Sequence, residues 1–371
     1  MRKIFLDNNS TTALDPRVLQ AVVEELQAPP ANPSSTHWFG MRAKERLRKA
    51  REECAAFFQV PPEEILFTSS GTESINLMLR GLSRKGHLVT TEIEHAAVEE
   101  TVRGLEKEGM SVTWLSVGSF GAPLPESIEA ALRADTQAIV LSLAGGETGV
   151  RIDLEAIAAL AEKKKIPLLL DGVAYIGREK FSLFPAMQAI AVSGHKFHAP
   201  KGVGILVHRK DFPIAPLLTG GGQEYRLRSG TENLPGIVGM ARALQILGEK
   251  QEEIRQKILH LRLHFEKELT RALPDLLING EGPRISNTSN IAFSGVDGET
   301  LLIQLDLAGI AASHGSACSS GALEPSRILL RMGLERKRCR SSVRFSFART
   351  NTKEEVDRSL EIIVRLVKDL R

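Results

Sequence analysis

Cysteine is scarce in this chain, with three in 371 residues, Cys54, Cys318 and Cys339. They are odd in number and widely spaced, which argues against a disulfide framework and suits a reducing compartment. Net charge is also small. A formal +3 over this length points neither to a nucleic-acid binder nor to a membrane-surface protein. No apolar run approaches the roughly 20 residues that span a bilayer. The opening Met1-Arg2-Lys3-Ile4-Phe5-Leu6-Asp7 lacks the apolar stretch and small-residue cleavage site of a signal peptide, so a cytoplasmic location is expected. Internal repeats and low-complexity segments are missing, and no metal site is expected.

What is present is a globular composition, 42% hydrophobic and 25% charged, on a chain long enough for roughly two domains. Short apolar runs at 65–67, 88–90, 112–115, 138–143, 167–170, 189–192 and 204–207 alternate with amphipathic stretches at 73–82, 97–108, 126–134 and 154–165. That alternation predicts an α/β fold with a mostly parallel sheet flanked by helices, whose ligand sits at the carboxyl ends of the strands. A long helix is expected over 237–273. A smaller α+β portion follows, with strands near 289–293 and 342–347 and a closing helix over 353–370. The expected division is a large domain over 12–250 and a small C-terminal domain over 251–371, joined by residues 1–11.

Chemistry-bearing residues fall where those strands end. Ser193-Gly194-His195-Lys196 follows one apolar run. A lysine there can be held out of bulk water, and desolvation favours the free amine that condenses with an aldehyde. Its hydroxyl and imidazole neighbours can donate to an anion, so the set suits pyridoxal 5'-phosphate (PLP). Thr68-Ser69-Ser70-Gly71-Thr72-Glu73-Ser74 opens a helix, where first-turn N–H groups and the Thr72 hydroxyl make an anion cradle. An ordinary helix cap would look the same. Glu94-His95 lies just past another strand, and the imidazole could stack on a flat cofactor and move protons. Asp171 ends an all-apolar strand, a costly place for a carboxylate without a partner. A protonated pyridine nitrogen is a suitable one. Asp171 and Lys196, one helix-and-strand unit apart, are expected on neighbouring strand ends.

Two loops complete the set. Gly220-Gly221-Gly222-Gln223-Glu224 with Arg226-Leu227-Arg228-Ser229-Gly230-Thr231 reads as a mobile anion-binding loop or a solvated linker. Ser313-His314-Gly315-Ser316-Ala317-Cys318-Ser319-Ser320-Gly321 is small and polar around a central thiol, a candidate nucleophile. Cys54 sits in a helical pattern and reads as core, and Cys339 reads as incidental.

In this order, the segments resemble the cysteine desulfurases, within the class V (fold type I) PLP-dependent transferases. The likeness runs from Leu6-Asp7-Asn8-Asn9-Ser10-Thr11-Thr12 and Asn32-Pro33-Ser34-Ser35-Thr36-His37 to Leu323-Glu324-Pro325-Ser326 and Val343-Arg344-Phe345-Ser346. The cysteine loop is of the long kind, similar to the iron–sulfur-cluster branch rather than the short-loop, selenocysteine-lyase-like branch. The resemblance implies that Lys196 holds PLP, Asp171 pairs with the pyridine nitrogen, and His95 stacks on the ring. Gly71, Thr72, Ser193 and His195 would cradle the phosphate, with Thr231 arriving from a second subunit of a homodimer. Arg344, with Asn32 near it, would grip the carboxylate of L-cysteine. Cys318 would take the substrate's sulfur as a persulfide, leaving alanine, and pass it to an acceptor or scaffold protein for iron–sulfur cluster assembly or thiolation.

The chain departs from the family at two places. Gly145-Gly146-Glu147 stands where Asn-Asn-Glu is usual, and Ala174 where a Gln is usual. Each lost donor near the cofactor's phenolic oxygen costs roughly 1.5–3 kcal/mol. Water, Tyr175 or His37 could substitute. The alternatives are a selenocysteine lyase or aminotransferase of the same class, or a degenerate non-catalytic relative acting as a binding partner.

Overall fold

The computed structural model describes residues 3–82, 85–315 and 325–371. Strand β1 (Ile4–Phe5) is followed by helices α1 (Pro16–Gln27) and α2 (Trp38–Phe58). Strands and helices then alternate as far as β6: β2 (Ile65–Thr68), α3 (Gly71–Arg80), β3 (His87–Thr91), α4 (Ala96–Lys107), β4 (Ser111–Leu115), α5 (Pro125–Ala131), β5 (Thr136–Ser142), α6 (Leu154–Lys164) and β6 (Leu168–Asp171); β7 (Met187–Ser193) and β8 (Gly204–His208) follow with no α-helix between, so a loop rather than the expected helix joins Asp171 to the strand before Lys196. The rest comprises α7 (Leu234–Ala272), β9 (Leu277–Ile278), β10 (Thr288–Ala292), α8 (Gly298–Leu307), β11 (Ile310–Ala311), α9 (Arg327–Arg331), α10 (Arg336–Arg340), β12 (Ser342–Ser346) and α11 (Lys353–Asp369).

Seven strands form one sheet in the order β2-β8-β7-β6-β5-β3-β4. All its neighbours are parallel except those of β8, which runs antiparallel to β2 and β7. The period of two along each strand sorts side chains onto two faces. Leu168, Leu170, Ile190, Val192, Ile139 and Leu141 join one core, with Cys54 and Phe58 of α2, Ile157 of α6 and Leu244 of α7. Leu169, Ala189, Ala191, Ala138 and Val140 join the other, with Ile75 and Met78 of α3 and Val98 and Val102 of α4. Burial on both faces explains why these strands read as continuous apolar runs.

The C-terminal portion holds a three-stranded antiparallel sheet, β12-β10-β9, and a parallel β1-β11 pair. Phe265 of α7 packs at 5.1 Å from Phe345 and 5.3 Å from Phe347. The long helix α7 carries a non-helical residue, Lys250 (φ −133, ψ 18). The amino-terminal segment crosses between the two portions. Ser346 donates its N–H to Leu6 O at 2.7 Å, and Thr12 donates its N–H to His195 O at 2.9 Å.

Candidate active site

Asp171 and Ser193 are the last residues of the adjacent parallel strands β6 and β7, with Asp171 in register with Ala191. Just past Ser193, a short 3₁₀ turn over Gly194–Lys196 carries the lysine. Lys196 is half-buried, and its Nζ donates to Asn9 O at 2.6 Å and Ser10 O at 2.9 Å. Thus the amino-terminal segment forms one wall of the site.

Helix α3 starts against the same strand ends. A Cβ added at Gly71 would lie 2.6 Å from Val173 Cγ2 and 3.3 Å from Ser193 Cβ, so only glycine lets the helix start approach so closely. Ser70 caps the helix by accepting the Glu73 N–H at 3.2 Å, and Thr72 is exposed. The earlier N–H groups of any helix start have no intrahelical partner and favour an anion. His195 accompanies them, its Nδ1 3.1 Å from Thr11 Oγ1. Burial, then the nearby Lys196, Lys201 and Arg178 cations, lower its pKa to about 4, so the ring is neutral near pH 7.

Asp171 is buried and accepts the Val173 N–H at 2.9 Å. Burial raises its pKa, while His95, the Val173 bond and Lys196 act against that rise. His95 is exposed at the start of α4, where its Nδ1 accepts the Ala97 N–H at 3.1 Å. That bond leaves Nε2 as the protonated nitrogen of the neutral ring. Beside it Glu94 is 3% exposed and accepts from Thr91 Oγ1 at 2.7 Å, Ser142 N at 2.8 Å and Ser142 Oγ at 2.5 Å. Burial raises its pKa to about 7, with the Asp171 charge adding to the rise. Sequence reasoning named Glu94 only as a neighbour of His95. The strand that buries it, β5, is distant in sequence.

Arg344 lies in β12 and is buried. Its Nη2 donates to Asp7 Oδ1 at 2.7 Å and its Nη1 to Gly146 O at 3.1 Å, while its buried Nε has no partner among the described residues. Asn9 Nδ2 donates to the same Gly146 carbonyl at 3.0 Å. Through Asp7, Asn9 and Gly146 the guanidinium is therefore tied to the wall that Lys196 touches.

Other expected residues stand elsewhere. Asn32 and Thr231 are exposed, and neither hydrogen-bonds to these residues among the described part of the chain. Asn32 Oδ1 accepts the Ser34 N–H at 2.9 Å. The loop before Thr231 docks on α3, Arg228 Nε donating to Glu73 Oε1 at 2.8 Å. Cys318 lies outside the described residues. Tyr175 is not a substitute donor: its hydroxyl is spent on Lys180 O at 3.0 Å and its side chain packs in the core. His37 caps α2, its Nδ1 accepting the Gly40 N–H at 3.3 Å. At Gly146 an added Cβ would meet nothing within 4 Å among the described residues.

The residues fit PLP. The Gly71 cradle suits a phosphate, buried Asp171 suits a protonated ring nitrogen, and the Lys196 amine stands beyond the neighbouring strand end. The orphaned Arg344 Nε suits a carboxylate.

Comparison with known proteins shows the family. The family model of class-V aminotransferases matches residues 4–359. A cysteine desulfurase of Nostoc sp. is 39% identical over all of this chain and 94% of its own length. The cysteine desulfurase IscS of Dictyoglomus turgidum is 36% identical over all of this chain and 96% of its own. Among solved structures, a NifS-like protein matches with a TM-score of 0.92 at 36% identity, covering 99% of this chain and 100% of that one. By sequence and by fold, the chain belongs to the class-V aminotransferase family, among its PLP-dependent cysteine desulfurases.

Proposed function

We propose that this chain converts L-cysteine to L-alanine with PLP, Cys318 accepting the sulfur as a persulfide and passing it to an acceptor protein. The observation that carries the reading is the convergence of Lys196, Asp171 and the Gly71 cradle on one end of the sheet, with Arg344 tied to the same wall. A relative of known structure, SspA, 28% identical to this chain, was solved with cysteine bound, which supports the substrate.

In this reading Gly71, Thr72, Ser193 and neutral His195 would hold the phosphate of PLP, and the Lys196 amine would hold its aldehyde end. PLP, when bound, supplies an electron sink for the substrate's α and β carbons. Asp171 would keep the proton on the ring nitrogen, and His95 would stack on the ring and help move protons. Arg344, whose Nε has no partner among the described residues, would bind the substrate carboxylate. Lys196 Nζ carries protons to and from the substrate carbons. The Cys318 sulfur forms an S–S bond as the substrate's C–S bond breaks. The C–S electron pair stays on the carbon side and takes up a proton, so thiol plus cysteine gives persulfide plus alanine without an external oxidant.

Helix α7 marks the division we propose, a large domain over 12–250 and a small one over 251–371 with 1–11. A homodimer is proposed to bring Thr231 of a second copy to the phosphate, supported by the exposed apolar side chains Leu19, Val23 and Leu26 of α1 and Trp38, Phe39 and Met41 of α2. No helix of the described residues is long and apolar enough to cross a membrane, and the cytoplasm is the proposed location.

The test is alanine formation from L-cysteine and reductant by PLP-supplied protein, with Cys318→Ala in parallel. Alanine from the wild type alone supports the reading. Alanine from both removes Cys318 as nucleophile, and alanine from neither removes the activity.

A further inference from the structure

We propose that Arg327 and Arg331 of α9 are positioning residues for His95, bracketing the turn that leads into it. This inference rests on the reading of His95 as the residue that stacks on the PLP ring. The two arginines are four residues apart on one short helix and so share a face of it. Arg327 Nη2 donates to Glu94 O at 2.9 Å, and Arg331 Nη1 donates to Glu92 O at 2.7 Å. Between those two carbonyls, the side chain of Ile93 packs against the apolar cluster that holds Leu329 and Met332. One helix of the C-terminal portion thus takes up three successive residues of the turn that ends at His95.

The same two guanidinium groups reach the helix that the turn opens. Both pair with Glu99 of α4, Arg331 Nη2 at 2.8 Å from Oε1 and Arg327 through Oε2. Glu99 is 5% exposed, and its N–H donates to His95 O at 3.0 Å. A third cation, Arg103, pairs with Glu99 at 3.0 Å and lies over the Trp114 ring, but bonds to neither carbonyl of the turn. The other side of the turn is fixed on the sheet. Glu92 donates its N–H to Leu115 O at 3.1 Å, and the Glu94 carboxylate is held by Thr91 and Ser142. Residues 92–95 are therefore clamped between the sheet end and α9. The His95 ring makes one hydrogen bond among the described residues, from Ala97 of its own helix. Its place is set by the backbone beneath it, and α9 holds that backbone through two charge-assisted bonds, stronger than neutral ones.

The experiment uses the full-length protein and the variants Arg327→Met, Arg331→Met, Arg103→Met and His95→Ala, with each of the first two also placed in the His95→Ala background. The first readout needs no turnover. It is the ring Cε1–H resonance of His95 in cofactor-free protein carrying isotope-labelled histidine, assigned by its loss in His95→Ala. The second is kcat and KM for L-cysteine in the PLP-loaded protein. Expected in Arg327→Met and Arg331→Met are a shifted or broadened His95 resonance and a fall in kcat of about tenfold each, the factor that goes with one hydrogen bond to a charged group. KM stays at the wild-type value. Arg103→Met takes a cation from Glu99 and leaves both readouts unchanged. In the His95→Ala background, loss of either arginine lowers kcat no further. An unmoved resonance with wild-type kcat in Arg331→Met would overturn the proposal even if Arg327→Met does not fold. Equal effects from Arg103→Met would overturn it too, since the arginines would then serve Glu99 alone. Wild-type kcat in His95→Ala would instead remove His95 from the reaction, and leaves the resonance to decide the bracket.

Discussion

Asp7 and Arg344 form an ion pair at 2.7 Å in which Arg344 is 3% exposed and its Nε lacks a partner among the described residues. The buried cation is half-answered: one anion and one carbonyl serve three nitrogens. Removing the charge with Asp7→Asn leaves the guanidinium without its anion and is expected to cost about 1.5–3 kcal/mol of stability. A carboxylate ligand then replaces the missing charge. In thermal melts, L-alanine should raise the Tm of Asp7→Asn more than that of the wild type. An equal shift in both proteins would show that Arg344 does not face the ligand.

Gly146 offers a second test. Among the described residues nothing lies within 4 Å of a Cβ built there, and its φ is not in the left-handed region, so the backbone accepts Asn without strain. The Arg344 and Asn9 bonds run to its backbone carbonyl and survive the change. If the position faces the cofactor's phenolic oxygen, Gly146→Asn regains a donor to a charged group, worth at least about 1.4 kcal/mol, or tenfold tighter PLP retention. Fluorescence titration of cofactor-depleted protein measures it. Unchanged affinity would mean that the side chain points away from the cofactor.

The sheet was legible because its strands are buried on both faces. An all-apolar run such as Leu168-Leu169-Leu170 ending in Asp171 marks both a strand and the buried carboxylate at its end. The seven expected strands occur within two residues of their expected ends. Less legible were the two-residue strands β1, β9 and β11, which depend on partners far along the chain rather than on a pattern of their own. The site was half visible. Asp171 and Lys196 announced themselves at strand ends. The Asp7–Arg344 and Glu99–Arg331 contacts did not, since each joins residues far apart in sequence with no local signal. Tyr175 drew attention as a polar aromatic beside Ala174, yet its ring turns into the core.

Glu94 makes the cofactor-free protein's stability depend on pH. Its folded-state pKa of about 7 stands above the ordinary 4.5, chiefly from burial. Between those values the folded chain holds a proton that the unfolded chain has lost. Stability is therefore full below about pH 4.5 and declines as pH rises to about 7, by up to ~3 kcal/mol. Asp171, also raised, contributes in the same direction. Glu94→Gln removes the Glu94 share and leaves the rest. Urea unfolding at about pH 5 and pH 8 should show a shallower decline in the variant. Parallel declines would place the raised carboxyl elsewhere.

Glu224 and Arg51 hold the turn that leads to Thr231. Arg51 donates to both Glu224 oxygens, at 2.9 and 2.5 Å, and Glu224 Oε2 also accepts the Phe67 N–H at 2.8 Å. Around this anchor Glu224, Tyr225 and Arg226 take φ values of 44, 56 and 65, three successive non-glycine residues in the left-handed region. Such residues cost of order 1–3 kcal/mol each unless the surroundings impose them. Breaking the pair with Glu224→Gln leaves a buried guanidinium uncompensated and is expected to lose about 3–5 kcal/mol. Arg226, exposed within the same turn, should respond in the opposite sense. Arg226→Gly relieves the steric cost of the left-handed conformation and is expected to gain about 1 kcal/mol. Opposite signs in urea unfolding would establish a strained turn held by a buried ion pair. Destabilisation by both would show that the Arg226 side chain contributes more through its contacts than the backbone costs.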